Sequence, residues 1–201
     1  MSRAANPSSR RVLVVRLGAM GDILHTLPAV AWLKEKHPEW QLTWLVEPHW
    51  APLLEADTTV DRVLHFQRKS LAGLWETRRM LRASGFDASV DFQGLLKSAI
   101  PAWVSGASER LGFDKSQLRE SQAAMFYSRT VRSGSAHVVD RNLELAAACA
   151  GVAPDGNPAE GVPAGSGKTR GPLPAATPAH AAARSRLRST TCADSVRTVR
   201  V

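Results

Sequence analysis

The chain has 201 residues, 44% hydrophobic and 22% charged, a composition and length that suit one ordinary core plus an appendage. No apolar run reaches the roughly 18 residues of a spanning helix, and the first ten residues lack the apolar stretch of a secretory signal, so neither insertion nor export is expected. Cys149 and Cys192 stand outside any CxxC or Cys/His spacing, which reads against a zinc site or a disulfide framework and for a reduced, cytoplasmic compartment. Half of the formal charge of +8 belongs to residues 155–201, so net charge alone does not choose among nucleic acid, lipid and anionic substrate.

Residues 11–17 are a nearly continuous apolar run rich in β-branched side chains, the pattern of a strand covered on both faces of a parallel sheet. Gly18-Ala19-Met20-Gly21-Asp22 breaks the run. Apolar residues then recur at helical spacing over 23–36, with Pro38 as a stop. Pro28 predicts a kink, or a helix restarted at that point. The alternation continues with strands at 41–46, 61–66, 88–92 and 110–113, and helices near 50–56, 71–83, 95–104 and 138–150. This order predicts an α/β fold, a Rossmann-like doubly wound parallel sheet over residues 11–152. Right-handed crossovers would bring every strand-to-helix loop to one edge, where such sheets bind ligands. All six tryptophans lie between Trp32 and Trp103, which confines the material for a core to the first part of the chain. Residues 1–10 read as a disordered extension. Residues 153–201, low in complexity and without periodicity, read as a disordered tail with the bias of a high-GC frame translated out of register.

The turn at 18–22 follows a strand and opens a helix, so its amides and the helix dipole point at whatever sits above the sheet. Asp22 at that mouth is either an N-cap or a general base. The Gly-x-x-Gly spacing is not the dinucleotide fingerprint, but Glu47, after the second strand, stands where a ribose-binding acid would, which leaves a nucleotide-binding module open. Gln93-Gly94 puts a second glycine turn on the ligand edge, as a simple connection or as an amide reaching a sugar or Asp22. In the helix at 71–83, Trp75 with Leu71 and Leu74 either dips into a membrane surface beside Arg78, Arg79 and Arg82 or faces the core. Gly165-Ser166-Gly167-Lys168-Thr169 fails as a phosphate loop, since Val162 stands where the first glycine is required and prolines follow instead of a helix. His25 and His137 lack the further ligands of a metal pair. Scattered basic residues read against nucleic acid.

Val12-Leu13-Val14-Val15-Arg16-Leu17-Gly18-Ala19-Met20-Gly21-Asp22 and its continuation to Ala29 closely resemble the opening of the ADP-heptose lipopolysaccharide heptosyltransferases, particularly the heptosyltransferase I type. Asp91-Phe92-Gln93-Gly94-Leu95-Leu96-Lys97-Ser98 is similar to that family's Asp-x-Gln-Gly-Leu-x-Lys-Ser segment. Arg119-Glu120 with residues 126–129, and then 137–141, resemble its later blocks. The resemblance implies the acceptor-binding half of a two-domain GT-B glycosyltransferase, with no match to the donor half in residues 153–201, as in a truncated or frame-shifted form. It further implies an inverting, metal-independent transfer of heptose from ADP-heptose to Kdo of the lipopolysaccharide inner core. ADP-heptose is then a donor substrate, bound where a donor domain is supplied, and no cofactor is called for. Asp22 matches the family's proposed base. Kdo carboxylates and lipid A phosphates call for cations, for which Arg68, Lys69, Lys97, Arg119 and Arg141 are the candidates, with Gln93 beside them and Gly18, Ala19, Gly21 and Gly94 shaping the turns. Where this type often carries serine in the first turn, the chain has Gly18 and Ala19. The implied partner is Kdo-lipid A, and the implied place is peripheral, on the cytoplasmic face of the inner membrane. A non-catalytic module that binds anionic glycolipid, or nucleotide, is the alternative.

Overall fold

Strand β1 (Arg11–Val15) is covered on both sides: Val12 and Val14 enter one apolar cluster, Leu13 and Val15 the other, and all four are fully buried. Each such side chain contributes about 1.5–3 kcal/mol of burial, which is why an unbroken apolar run makes a central strand. The computed structural model describes residues 9–55, 57–67 and 70–152. The tail expected at 153–201 and the candidate cations Arg68 and Lys69 lie outside the described residues. Ser9 and Arg10, assigned from sequence to the extension, belong to the fold. Ser9 Oγ donates to the Glu39 carbonyl at 3.0 Å, and Arg10 donates to the Cys149 carbonyl at 2.9 Å and pairs with Glu109.

Helix α1 (Met20–Lys36) follows, then β2 (Gln41–Val46), a 3-10 turn at Pro48–Trp50, α2 (Pro52–Glu55), β3 (Arg62–His65), α3 (Leu71–Ser84), β4 (Ala88–Asp91) and α4 (Leu96–Val104). The chain continues with β5 (Glu109–Phe113), 3-10 turns at Lys115–Gln117 and Ser121–Phe126, β6 (Arg129–Val131) and α5 (Val138–Ala150). The sheet order is β3-β2-β1-β4-β5-β6 and every pairing is parallel, with Val14 opposite Trp44 on one side and Val90 on the other. The order reverses between β1 and β4, so the loops after these strands part and leave a crevice at the C-terminal edge of the sheet. Ile23, Val30 and Leu33 of α1 and Leu145 and Cys149 of α5 cover one face; Leu81 of α3 and Ala102 of α4 cover the other. Burial pushes the Cys149 thiol up to about 12, which leaves it protonated and unreactive.

Three expectations change. Helix α1 begins at Met20 and runs through Pro28 without restarting. Asn142 of α5 donates to the His25 carbonyl at 3.0 Å beside the proline, so a neighbouring helix helps satisfy the turn that proline loosens. Strand β6 has no counterpart in the sequence reading, because three half-buried or exposed residues at a sheet edge carry no periodicity. Trp75 and Trp103 are 69% and 49% exposed and are therefore not core residues.

The β4–α4 connection is held from within. The fully buried Asp91 carboxylate accepts from the amides of Gln93 and Gly94 through Oδ1 and from the hydroxyls of Ser98 and Tyr127 through Oδ2, at 2.7–3.2 Å. Gly94 adopts φ +69°, and a Cβ there would stand 2.5 Å from Leu118 Cδ2, so both conformation and space require glycine. Burial holds the Asp91 carboxyl above the usual carboxylate range, against the pull of its four hydrogen bonds. The native state thus binds this proton more tightly than the unfolded chain. Its contribution to stability is complete below the unfolded value and declines as pH rises through the folded one. In urea titrations Asp91→Ala, which orphans four buried donors at about 1–3 kcal/mol each, is expected to lose at least about 3 kcal/mol. Asp91→Asn is expected to flatten the decline of stability with pH above the carboxylate range.

Candidate active site

The loops at the C-terminal edge enclose a cleft of about 610 Å³. Gly18, Ala19 and Asp22 line it after β1, Glu47, His49 and Trp50 after β2, and Gln93, Leu95 and Lys97 after β4. Gln117, Leu118 and Arg119 follow β5, and Arg141 and Asn142 project from the start of α5. A parallel sheet delivers all these segments to one edge, so residues more than a hundred positions apart meet without any local sequence signal.

Asp22 is not the N-cap. That position is Ala19, without a side-chain bond, and Asp22 sits in the first turn of α1, where its charge suits the helix dipole. Its Oδ2 lies 2.6 Å from a guanidinium nitrogen of Arg16, and its side chain remains 48% exposed toward the cleft. Arg16 is 7% exposed and also donates to the Phe92 carbonyl at the end of β4. Burial lowers the Arg16 pKa from its ordinary value, opposed first by the charge and hydrogen bond of Asp22 and then by Asp91. A guanidinium stays protonated under that shift, so Arg16 presents a fixed cation that orients the Asp22 carboxylate. Sequence reading passed over Arg16. A charged residue interrupting a fully buried strand run was the available signal, because such a charge needs a partner.

Gly18 and Ala19 form the turn that was expected at 18–22, whereas Gly21 lies inside α1 with open space where a Cβ would be. Gly18 is packed beneath Trp50: a Cβ there would stand 2.8 Å from the indole Nε1, which accounts for glycine where serine was the alternative. The Gln93 side chain does not reach Asp22. Its Oε1 accepts from the Leu17 amide at 2.9 Å and ties the second turn to the end of β1. Gly94 is buried behind it.

The remaining cations differ in their partners. Lys97 Nζ is 4.0 Å from Glu47 Oε1, and the same carboxylate group faces the His49 imidazole at 4.0 Å, so the acid of the nucleotide reading already faces a cation. Arg119 is exposed and Arg141 half-buried, and among the described residues no acid pairs with either. Arg141 stacks over the Phe113 ring at 5.0 Å, reaches the Gln117 carbonyl at 3.4 Å, and keeps a buried Nε without a partner. Four cations and two carboxylates thus line the cleft, and the two arginines at its β5–α5 side are free to meet an anion. His137 and His25 are exposed outside the lining; His137 caps α5 through Nδ1 on the Val139 amide. Trp50 and Phe113, also missed from sequence, give the cleft its aromatic walls.

Residues 74–168 match the model of glycosyltransferase family 9 (heptosyltransferase). Lipopolysaccharide heptosyltransferase 1 of Salmonella typhimurium is 34% identical over 146 residues, 67% of this chain and 46% of the relative. The same protein of Pseudomonas aeruginosa is 33% identical, over 67% of this chain and 41% of its own length. The solved structure of E. coli heptosyltransferase WaaC with ADP superposes with a TM-score of 0.63 at 33% identity, covering 72% of this chain and 48% of that one. The chain therefore spans just under half the length of the relatives it matches, and over that span it is similar to the heptosyltransferase family of glycosyltransferases.

Proposed function

We propose that this domain binds the acceptor of a heptose transfer, the Kdo of a lipopolysaccharide inner core, and supplies Asp22 as the base, with ADP-heptose delivered by a second half of the transferase. The observation that carries the reading is one cleft holding both a fixed carboxylate and two arginines, Arg119 and Arg141, without acid partners among the described residues. Relatives named lipopolysaccharide heptosyltransferase 1 support the substrate class, as does a structure of E. coli WaaC with ADP-2-deoxy-2-fluoro heptose at a TM-score of 0.64.

In this reading the arginines pair with the carboxylate and phosphates of the acceptor and present one Kdo hydroxyl to Asp22. Asp22 takes the hydroxyl proton as the oxygen attacks the anomeric carbon of heptose from the face opposite ADP. A carbon–oxygen bond forms while the bond to the phosphate oxygen breaks, ADP departs with the electron pair, and the configuration inverts. Arg16 touches no substrate. It is a positioning residue, because its ion pair fixes the direction of the Asp22 carboxylate. Lys97 and Gln93 stand on the β4 side of the same cleft, and no cofactor enters the transfer. The acceptor is lipid-borne, so the protein works at the cytoplasmic face of the inner membrane; no described helix is long and apolar enough to cross it.

Calorimetric titration with a water-soluble Kdo–glucosamine phosphate tests the binding role. Arg119→Ala and Arg141→Ala are each expected to weaken binding roughly ten- to hundredfold, the worth of a charge-assisted hydrogen bond, while Asp22→Asn leaves affinity nearly unchanged. Saturable ADP binding that depends on Glu47, with no affinity for the Kdo ligand, would replace this reading with a nucleotide-binding module.

Transfer is measured in a chimera joining residues 11–152 to the remaining half of the Salmonella relative. Asp22→Asn is expected to lower kcat by about 10²- to 10⁴-fold, and a chimera that transfers heptose at an unchanged rate without the carboxylate removes Asp22 from the chemistry.

Arg16→Lys keeps the buried charge but loses the planar fork that fixes the direction of the Asp22 carboxylate. It is expected to lower kcat up to about 10²-fold through misdirection of Asp22, with KM and the urea midpoint little changed; a loss confined to KM would instead assign Arg16 to acceptor binding.

A further inference from the structure

The outer face of α3 is built against the usual rule for an amphipathic helix. Its inward stripe is Gly73, Thr77 and Leu81, all buried, and a Cβ on Gly73 would stand 2.7 Å from the Gln67 carbonyl oxygen. The start of the helix therefore rests almost backbone to backbone on the preceding loop, and its large apolar residues have no room beneath it. Leu71 is 86%, Trp75 69% and Leu74 40% exposed. Leu71, Trp75, Arg78 and Arg82 fall at i, i+4, i+7 and i+11, a single stripe along the outside of the helix. Its first two turns are apolar and its later turns cationic. Arg78, Arg79 and Arg82 are exposed, Glu76 is the one acid on the helix, and among the described residues no acid pairs with any of the three arginines. The Arg78 guanidinium stands 5.9 Å from the Trp75 ring, where the two can share one interface.

Position in the fold gives the stripe a direction. Helix α3 follows β3 in a parallel sheet, so its first turn lies at the same C-terminal edge as the cleft. The apolar end thus lies toward that edge of the sheet, and the helix carries the arginines away from it over about 10 Å.

We propose that α3 docks this domain on an anionic bilayer, with Leu71, Leu74 and Trp75 in the interfacial region and Arg78, Arg79 and Arg82 on lipid phosphates. A second copy of the chain suits the face poorly, since a two-fold contact would bring two sets of three arginines together. Three apolar side chains also fall short of the roughly 800 Å² per partner of a stable protein interface. An anionic surface supplies the missing counter-charge and needs no matching shape. The proposal rests on the lipid-borne acceptor described above, but vesicle docking does not require acceptor, donor or transfer, so the two readings fail separately.

The test is co-sedimentation of the full chain with vesicles of phosphatidylcholine, with and without one quarter phosphatidylglycerol, at an ionic strength of about 0.1 M. Wild type is expected to partition at least about tenfold more strongly onto the anionic vesicles, at about fivefold for each cationic side chain near the surface. Leu71→Ser with Trp75→Ser is expected to reduce partition at least about tenfold. Arg78→Gln, Arg79→Gln and Arg82→Gln together are expected to reduce it about a hundredfold and to weaken its dependence on salt. Phosphatidylcholine brominated in the acyl chains, added to the anionic vesicles, reports on Trp75 directly: quenching of the wild type should exceed that of Trp75→Phe, a variant that leaves the fold and the apolar face in place. No binding of the wild type to anionic vesicles, equal binding by the serine or glutamine variants, or equal quenching with Trp75→Phe overturns the proposal. So does a self-association that the serine pair abolishes while vesicle binding is unchanged, which would give the face to a second copy.

Discussion

The cleft is organised around one buried cation. Arg16 ends the central strand run with its side chain almost wholly out of water, where an ionised group costs several kcal/mol unless it is paired. Its partners come from the segments that must converge: the carboxylate of Asp22 in the first turn of α1 and the carbonyl of Phe92 at the end of β4. The Arg16 carbonyl in turn accepts from the Trp44 indole of β2. A charge that cannot be left unsatisfied thereby fastens β1, β4 and the first helix at the point where the sheet order reverses, and the backbone of the same residue adds β2.

A buried carboxyl group repeats the device one loop away. Asp91 gathers the amides of Gln93 and Gly94 with the hydroxyls of Ser98 and Tyr127, so the β4–α4 turn is set by side chains beneath the surface. Gln93 then spends its oxygen on the Leu17 amide and joins this turn to the first one. The residues facing the cleft are consequently carried on loops whose backbones are already committed. A carboxylate can keep a direction on such a scaffold even while half exposed, which is the condition for useful proton transfer.

Charge in the cleft is partitioned by pairing. Arg16 is spent on Asp22 and Lys97 faces Glu47, while among the described residues Arg119 and Arg141 pair with no acid, although Arg141 also reaches the Gln117 carbonyl. The outward face of α3 follows the same logic at larger scale, with exposed apolar side chains at the end nearest the cleft's edge and exposed arginines farther along the helix. Both surfaces suit a ligand that is anionic at one end and anchored in lipid at the other. The chain covers less than half of the relatives it matches.

Much of the fold was legible in the sequence because it rests on local patterns. The doubly covered run at 11–17, the helical spacing over 23–36 and 138–150, and the alternation of strands with helices are statements about neighbouring residues, and parallel pairing follows from them by the handedness of crossovers. Asp22, Lys97, Arg119 and Arg141 could be marked because they sit in or beside strand-to-helix loops, and the topology brings all four to one cleft. Strand β6 and the 3-10 turns were not legible, since short edge segments take their conformation from the strand they join. Nor could sequence decide which way a side chain faced. Gln93 turns to Leu17 and not to Asp22, Trp75 faces water, and Arg16 is the partner of Asp22. Each is settled by packing between segments tens of residues apart. Composition and periodicity determined that a parallel α/β sheet would form and where its ligand edge would lie; the burial of Arg16 and Asp91, a tertiary event, decided which groups at that edge are bound to the protein and which are left to meet a ligand.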